Sequence, residues 1–217
     1  MTDVIVPAHN EAPRIAPVLA AIRGGSFVSQ LIVVADCCTD DTAIIAEEFA
    51  SRVISIPNGD KGSAMAAGLR EVGTELVAFI DADIQGLKPG HVDALLSVGP
   101  LDGQVVGDRD GYPRILSHLP SISGERRIPT WLARSVHLDG AGWRAETLIN
   151  VAVAENGLPW EHIRLNGVTN LAKAKWLTDP WAWAKEFGRV IDSTLLYGPE
   201  LAKYISQPGG ATTAPQP

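Results

Sequence analysis

The run Leu76-Val77-Ala78-Phe79-Ile80-Asp81-Ala82-Asp83 constrains this chain more than any other stretch. Consecutive apolar residues, several of them β-branched or aromatic, describe a strand covered on both faces, as in parallel sheets. The strand runs straight into two carboxylates separated by one alanine. A carboxylate is costly to bury unpaired, so a core strand ending this way points to a counter-charge. Continued alternation turns Asp81 and Asp83 to one side, where oxygen donors suit a hard divalent cation. The competing reading is a solvated loop with two helix-capping acids.

The residues before this run repeat one pattern. Val4-Ile5-Val6-Pro7 is a short strand, followed by a helix with apolar residues at Ile15, Val18, Leu19 and Ile22 that stops at Gly24-Gly25. Leu31-Ile32-Val33-Val34 is a second strand leading to Asp36, and Thr39 or Asp40 is placed to cap a helix reaching residue 50. Residues 53–56 form a third strand, and a helix over 64–72 follows Asp60-Lys61-Gly62-Ser63. Strands alternating with helices predict a wound α/β sheet, mostly parallel, with ligands at the carboxyl ends of its strands. Each polar cluster of this half falls at such an end.

Beyond Asp83 the pattern is mixed. Helices are expected over 89–98, 128–135, 143–156 and 181–205, short strands at 105–106, 115–116 and 163–165, and loops through much of 101–124. With no repeat or linker, the chain reads as one domain over 1–206, with a nucleotide-binding half (1–86) and an acceptor half (87–206). The Pro-, Gly-, Ala- and Thr-rich segment 207–217 is expected to be a disordered tail.

A formal charge of −7 argues against a protein that lives on nucleic-acid phosphates. Cys37 and Cys38 are adjacent and make no disulfide framework, which together with the missing signal peptide and spanning segment suggests the cytoplasm.

The motifs Val6-Pro7-Ala8-His9-Asn10-Glu11, Val33-Val34-Ala35-Asp36, Lys61-Gly62 and Asp81-Ala82-Asp83 resemble, in order and spacing, those of family 2-like glycosyltransferases of the GT-A fold. Ser123-Gly124-Glu125-Arg126 and the segment from Gly140 to Glu146 are similar to acceptor-side motifs of small bacterial members, the glucosyl-3-phosphoglycerate synthase-like enzymes and polyprenyl-phosphate sugar transferases among them. The resemblance implies a GT-A, Rossmann-like sheet flanked by helices. It also implies metal-dependent transfer of a hexose from a nucleotide-diphosphate sugar, UDP-glucose favoured, to a hydroxyl or phosphate acceptor.

By that resemblance Glu11 and Asp36 hold base and ribose, with Pro7, Ala8 and His9 supplying backbone and shape. Lys61 lies near the base or diphosphate, at a helix start that favours anions. Asp83 contacts Mn2+ or Mg2+, and Asp81 contacts ribose or the metal's water. Where many relatives place a further histidine ligand, this chain has Asn170, a weaker oxygen donor; His162 nearby reads as a surface residue. Glu146 is the reaction-centre residue, either a general base for an inverting transfer or a positioning group for a retaining one. As a bland alternative, Glu11 and Glu146 are first-turn acids and Asp36 caps a turn.

Gly124, Arg126 and Arg127, with Arg114 and Arg144, would receive an anionic acceptor through bidentate bonds. The six tryptophans are core residues by default, with Trp143 placed to stack on a sugar. Rival readings are a non-catalytic nucleotide-sugar binder and a transferase acting on a modified DNA base. The acceptor and the assembly, a homodimer among the options, stay open.

Overall fold

A computed structural model describes residues 1–57, 59–110 and 123–170, together with 198, 199, 202, 212 and 213. Arg114, the strand expected at 115–116, the helix expected at 181–205 and Trp176, Trp181 and Trp183 lie outside the described residues.

The first half alternates as its hydrophobic pattern requires: β1 (Thr2–Ala8), α1 (Ile15–Arg23), β2 (Val28–Asp36), α2 (Thr42–Glu47), β3 (Arg52–Ile56), α3 (Lys61–Leu69) and β4 (Leu76–Phe79). Then follow β5 (Ile84–Gln85), α4 (Pro89–Ser97), β6 (Gln104–Arg109), β7 (Arg126–Pro129), α5 (Thr130–Ser135), a 3-10 turn (Gly142–Arg144), α6 (Ala145–Glu155), β8 (Trp160–Leu165), β9 (Thr169–Asn170) and β10 (Thr212–Thr213). The main sheet has the order β10-β8-β6-β7-β4-β1-β2-β3, and β5 pairs with β9 apart from it. Its strands run parallel except β7, which lies antiparallel between β4 and β6. The fold is thus the expected mostly parallel, Rossmann-like sheet flanked by helices.

Two apolar layers cover the sheet. Val4, Val6, Leu31 and Val33 pack with α1 and α4 on one face. Ile5, Ile32, Val34, Val77 and Phe79 pack with α3, α5 and α6 on the other. Adjacent residues serving opposite layers explain why these strands are apolar throughout instead of alternating.

Several boundaries differ from expectation for local reasons. The helix of residues 128–135 gives up its start to β7, because Ile128 pairs with Val77 across the sheet and a helix forms only from Thr130. α3 begins at Lys61, not 64, since the Asp60 carboxylate accepts the Ser63 N–H and caps it. Asp41, not Thr39 or Asp40, is the residue before α2, while the Asp40 carboxylate accepts the Thr42 N–H at 3.1 Å. Of 207–217, Thr212 and Thr213 are described, as a strand beside His162 and Ile163 of β8.

The topology has one consequence for function. The carboxyl ends of β1, β2, β3, β4, β6 and β8 share one edge of the sheet, and β7, running backward, brings its amino end to that same edge. Gly124 and Glu125, which precede β7, thereby join the ends of β1 and β4.

Candidate active site

The β1 and β2 ends form a cross-linked pair of loops. His9 Nδ1–H donates to the Asp36 carbonyl at 2.6 Å, and the Asn10 amide donates to His9 Nε2 at 3.4 Å. The Asn10 side-chain oxygen in turn accepts the Thr39 N–H at 2.8 Å. Asn10 and Cys37 both adopt positive φ, 54° and 48°, which turns the chain sharply after each strand. Between them lies Asp36, buried, with Oδ1 lacking a hydrogen-bond partner among the described residues. Burial pushes its carboxyl above the usual aspartate range, with Asp60 adding to this and His9 opposing it. A buried acceptor left open in this way suits a ligand N–H. Glu11 pairs with Arg14 at 2.6 Å, and its own N–H donates to the Thr42 hydroxyl at 2.8 Å. Pro7 and Ala8 contribute backbone at the end of β1, paired with Val34 and Ala35.

The centre of the edge is an ion network. Lys61 Nζ lies 2.7 Å from Asp81 Oδ1 and 2.5 Å from Glu146 Oε1, with the three side chains 12%, 13% and 4% exposed. Burial works to lower the Lys61 pKa, but the charges of Asp81 and Glu146 outweigh it and hold the ammonium above its ordinary value. For Asp81, burial pushes the carboxyl up and is overcome by Lys61 and Arg109, leaving it below the usual range. Arg109 Nη1 lies 3.4 Å from Asp81 Oδ2 and its Nε 3.3 Å from Glu125. Glu125 also accepts the Ser123 hydroxyl at 2.6 Å. Gly124 packs flat on Asp81, and a Cβ there would overlap the carboxylate.

Glu146 reaches Lys61 because a turn is folded onto α3. The Asp60 carboxylate accepts the Gly142 N–H at 3.0 Å, and the Ser63 hydroxyl accepts the Gly140 N–H at 3.0 Å. At Gly62 a Cβ would run into the Leu138 carbonyl and Ala141. This glycine therefore permits the close approach. The turn leaves Trp143 half exposed, its indole 5.3 Å from Lys61 Nζ, with Glu146 in the first turn of α6 behind it.

Asp83 is not a strand neighbour of Asp81. β4 ends at Phe79, so a turn, not strand alternation, places the two acids. Burial raises the Asp83 carboxyl, and the charges of Asp81 and Glu11 raise it further, so negative charge gathers there from two strand ends. Among the described residues no group of three or more His, Cys, Asp or Glu side chains forms a metal cage. The Asp83 carboxylate, with the charge of Asp81 beside it held by Lys61 and Arg109, is an oxygen donor that suits Mg2+ or Mn2+, whose remaining ligands would be phosphate oxygens and water. For Asn170 the backbone alone is described: it pairs with Ile84, next to Asp83 in sequence.

The expectation that Arg126 and Arg127 reach an acceptor is corrected by their placement. Both are fully buried in a central strand and point to opposite faces. Arg127 donates to the carbonyls of Leu96 at 2.9 Å and Pro100 at 2.5 Å, beside α4 and away from the site. Arg126 is directed toward α6. His162 is also corrected: it is a buried residue, 2.9 Å from Asp108 and edge-on to Trp160. Sequence reasoning missed Arg109 altogether. Its position at the end of β6, on the same sheet edge, was the available signal.

The Glycosyl transferase family 2 model matches residues 3–112. The 4,4'-diaponeurosporenoate glycosyltransferase of Staphylococcus aureus strain MRSA252 is 31% identical over 107 residues, 46% of this chain and 28% of that protein. The corresponding protein of strain USA300 is 30% identical over the same length. The match thus spans well under two thirds of these relatives. Among solved structures, glucosyl-3-phosphoglycerate synthase from Mycobacterium tuberculosis in complex with Mn2+, UDP and glucosyl-3-phosphoglycerate aligns with a TM-score of 0.64 at 24% identity, covering 78% of this chain and 71% of that one. The same enzyme with phosphoglyceric acid aligns with a TM-score of 0.64 at 25% identity. These structural likenesses are of fold.

Proposed function

The chain belongs to glycosyl transferase family 2, and from that premise we propose that it moves a hexose from a nucleotide-diphosphate sugar, UDP-glucose favoured, to a hydroxyl or phosphate acceptor. The observation that carries this reading is the single sheet edge on which Asp36, Lys61, Asp81, Asp83 and Glu146 gather, with Lys61 bridging Asp81 and Glu146. Asp83, with Asp81 alongside, would hold Mn2+ or Mg2+, which would supply Lewis-acid neutralisation of the diphosphate.

The protein's own groups do the rest. The open Asp36 oxygen takes a base N–H, in a cleft shaped by Pro7, Ala8 and His9, and Glu11 closes the ribose side. Asp81 faces the ribose with its orientation fixed by Lys61, Arg109 and the Gly124 backbone. Lys61 places a fixed positive charge where the diphosphate leaves, and such preorganised charge is worth more in a buried site than in water. Glu146, held against that ammonium, orients a hydroxyl of the sugar or acceptor. Trp143, half exposed at the rim, offers a flat face for the sugar.

Incubation of the purified protein with UDP-glucose, UDP-galactose, UDP-GlcNAc or GDP-mannose, each with and without Mn2+, tests the reading. Metal-dependent release of the nucleoside diphosphate from one donor is the expected result. Absence of metal-dependent binding and turnover for all of them overturns it. Binding without turnover across a broad acceptor panel would instead favour the non-catalytic nucleotide-sugar binder.

A further inference from the structure

A guanidinium buried in a central strand is expensive, and an apolar side chain of like volume would usually serve stability as well or better. Arg126 keeps its charge there, with no exposed surface. What it holds is informative. Its Nη1 donates to the Glu146 carbonyl at 3.2 Å and to Asn150 Oδ1 at 3.1 Å, gripping both ends of the first full turn of α6. Nε donates to the Ser123 carbonyl at 3.2 Å and Nη2 to the same oxygen at 2.5 Å. Gln104 completes the layer, accepting from Nη1 at 3.4 Å and donating to Asn150 at 3.0 Å.

These partners are the backbones of the two site elements. The Ser123 carbonyl begins the turn whose Gly124 lies flat on Asp81, and the Glu146 carbonyl belongs to the residue that meets Lys61. Resting on the transferase reading above, we propose that Arg126 is a positioning residue: it fixes the separation of Asp81 and Glu146, and so lets Lys61 contact both.

The geometry allows no comparable substitute. Lysine keeps the charge but lacks the planar fork that meets a backbone carbonyl on one side and an amide and a carbonyl on the other. A misplacement of about 1 Å at a reacting centre costs on the order of 100-fold in rate. The base end of the site, His9 and Asp36, makes none of these bonds and stays intact. Arg126 therefore acts mainly on turnover, and nucleotide affinity is touched only weakly, through Asp81 at the ribose.

Arg126→Lys and Arg126→Ala in the full chain test this, with turnover, UDP affinity and Lys61 acylation by an amine reagent read by mass spectrometry. Arg126→Lys is expected to lower kcat by about 10–100-fold while the UDP Kd stays within about 3-fold. Added guanidinium ion is expected to restore turnover in Arg126→Ala, which a general loss of folding would not allow. Lys61 acylation is expected to rise in both variants relative to exposed Lys88. Should Arg126→Ala fail to fold, the lysine variant decides alone. An unchanged kcat with unchanged Lys61 acylation overturns the proposal. A wild-type chain without turnover would defeat the transferase reading, while the acylation ratio would still decide the role of Arg126.

Discussion

Replacing Lys61 by Met is the sharpest test of the ion network, because Met fills the volume and removes only the charge. Lys61 Nζ sits 2.7 Å from Asp81 and 2.5 Å from Glu146, all three side chains less than one-seventh exposed. Breaking a buried pair by removing one partner costs about 3–5 kcal/mol, since the other charge is stranded. Arg109 remains 3.4 Å from the second Asp81 oxygen, so Asp81 keeps part of its compensation and Glu146 bears most of the loss. The low end, about 3 kcal/mol, is therefore expected near pH ~8, equivalent to a Tm lowered by roughly 6–12 °C for a chain of this size.

The pH dependence has a definite sign. In the variant a stranded carboxylate binds a proton more tightly folded than unfolded, so protonation favours the folded chain. Its stability is fuller in acid and is lost as pH rises. The deficit relative to wild type should thus shrink to about 1 kcal/mol near pH ~5. Urea unfolding of both proteins at several pH values measures this directly. A deficit near pH ~8 below about 1 kcal/mol, or one that grows on acidification, would refute the argument.

Three further outcomes follow from individual contacts. Gly124→Ala puts a methyl into the Asp81 carboxylate, and overpacking of about 1–3 kcal/mol predicts a Tm lowered by roughly 2–12 °C together with a loss of kcat/KM as Asp81 is displaced, read by a thermal melt and donor turnover. Because burial raises the Asp36 carboxyl, UDP affinity measured by calorimetry should decline on acidification already above the ordinary aspartate value of about 3.9, and Asp36→Asn should abolish that decline. Asp36 contributes no instability over that range, since its protonation favours the folded form. Arg127→Gln is expected to destabilise the chain by about 2–4 kcal/mol in urea, with the acceptor KM of the folded protein unchanged, because its bonds run to the Leu96 and Pro100 carbonyls.

The fold was readable in the first half because burial on both faces demands continuous apolar strands, and the breaks between them carry glycine, proline and acids. Asp36, Lys61 and the two aspartates were legible for the same reason: polar clusters at the ends of parallel strands must share an edge. What stayed hidden were contacts between residues distant in sequence. Nothing near Glu146 announces that its partner is Lys61, since a turn pinned by Asp60 and admitted by Gly62 makes that pair. Adjacent arginines read as a surface clamp, yet β7 inserts between β4 and β6 and sends one to each buried face. Its antiparallel course also brings Gly124 and Glu125 to the site, a result of topology that local pattern does not encode. His162 looked exposed because a lone histidine carries no sign of the aspartate that meets it in the interior.

Whether this edge of the sheet takes a metal together with its nucleotide is read by titrating Mn2+ into the protein with and without UDP, followed by electron paramagnetic resonance. The wild-type chain is expected to take up one Mn2+ per molecule only when UDP is present, and Asp83→Asn is expected to lose that uptake while still binding UDP through Asp36. Equal Mn2+ uptake by the two proteins, or none by either, would contradict a metal-assisted transfer at this edge of the sheet.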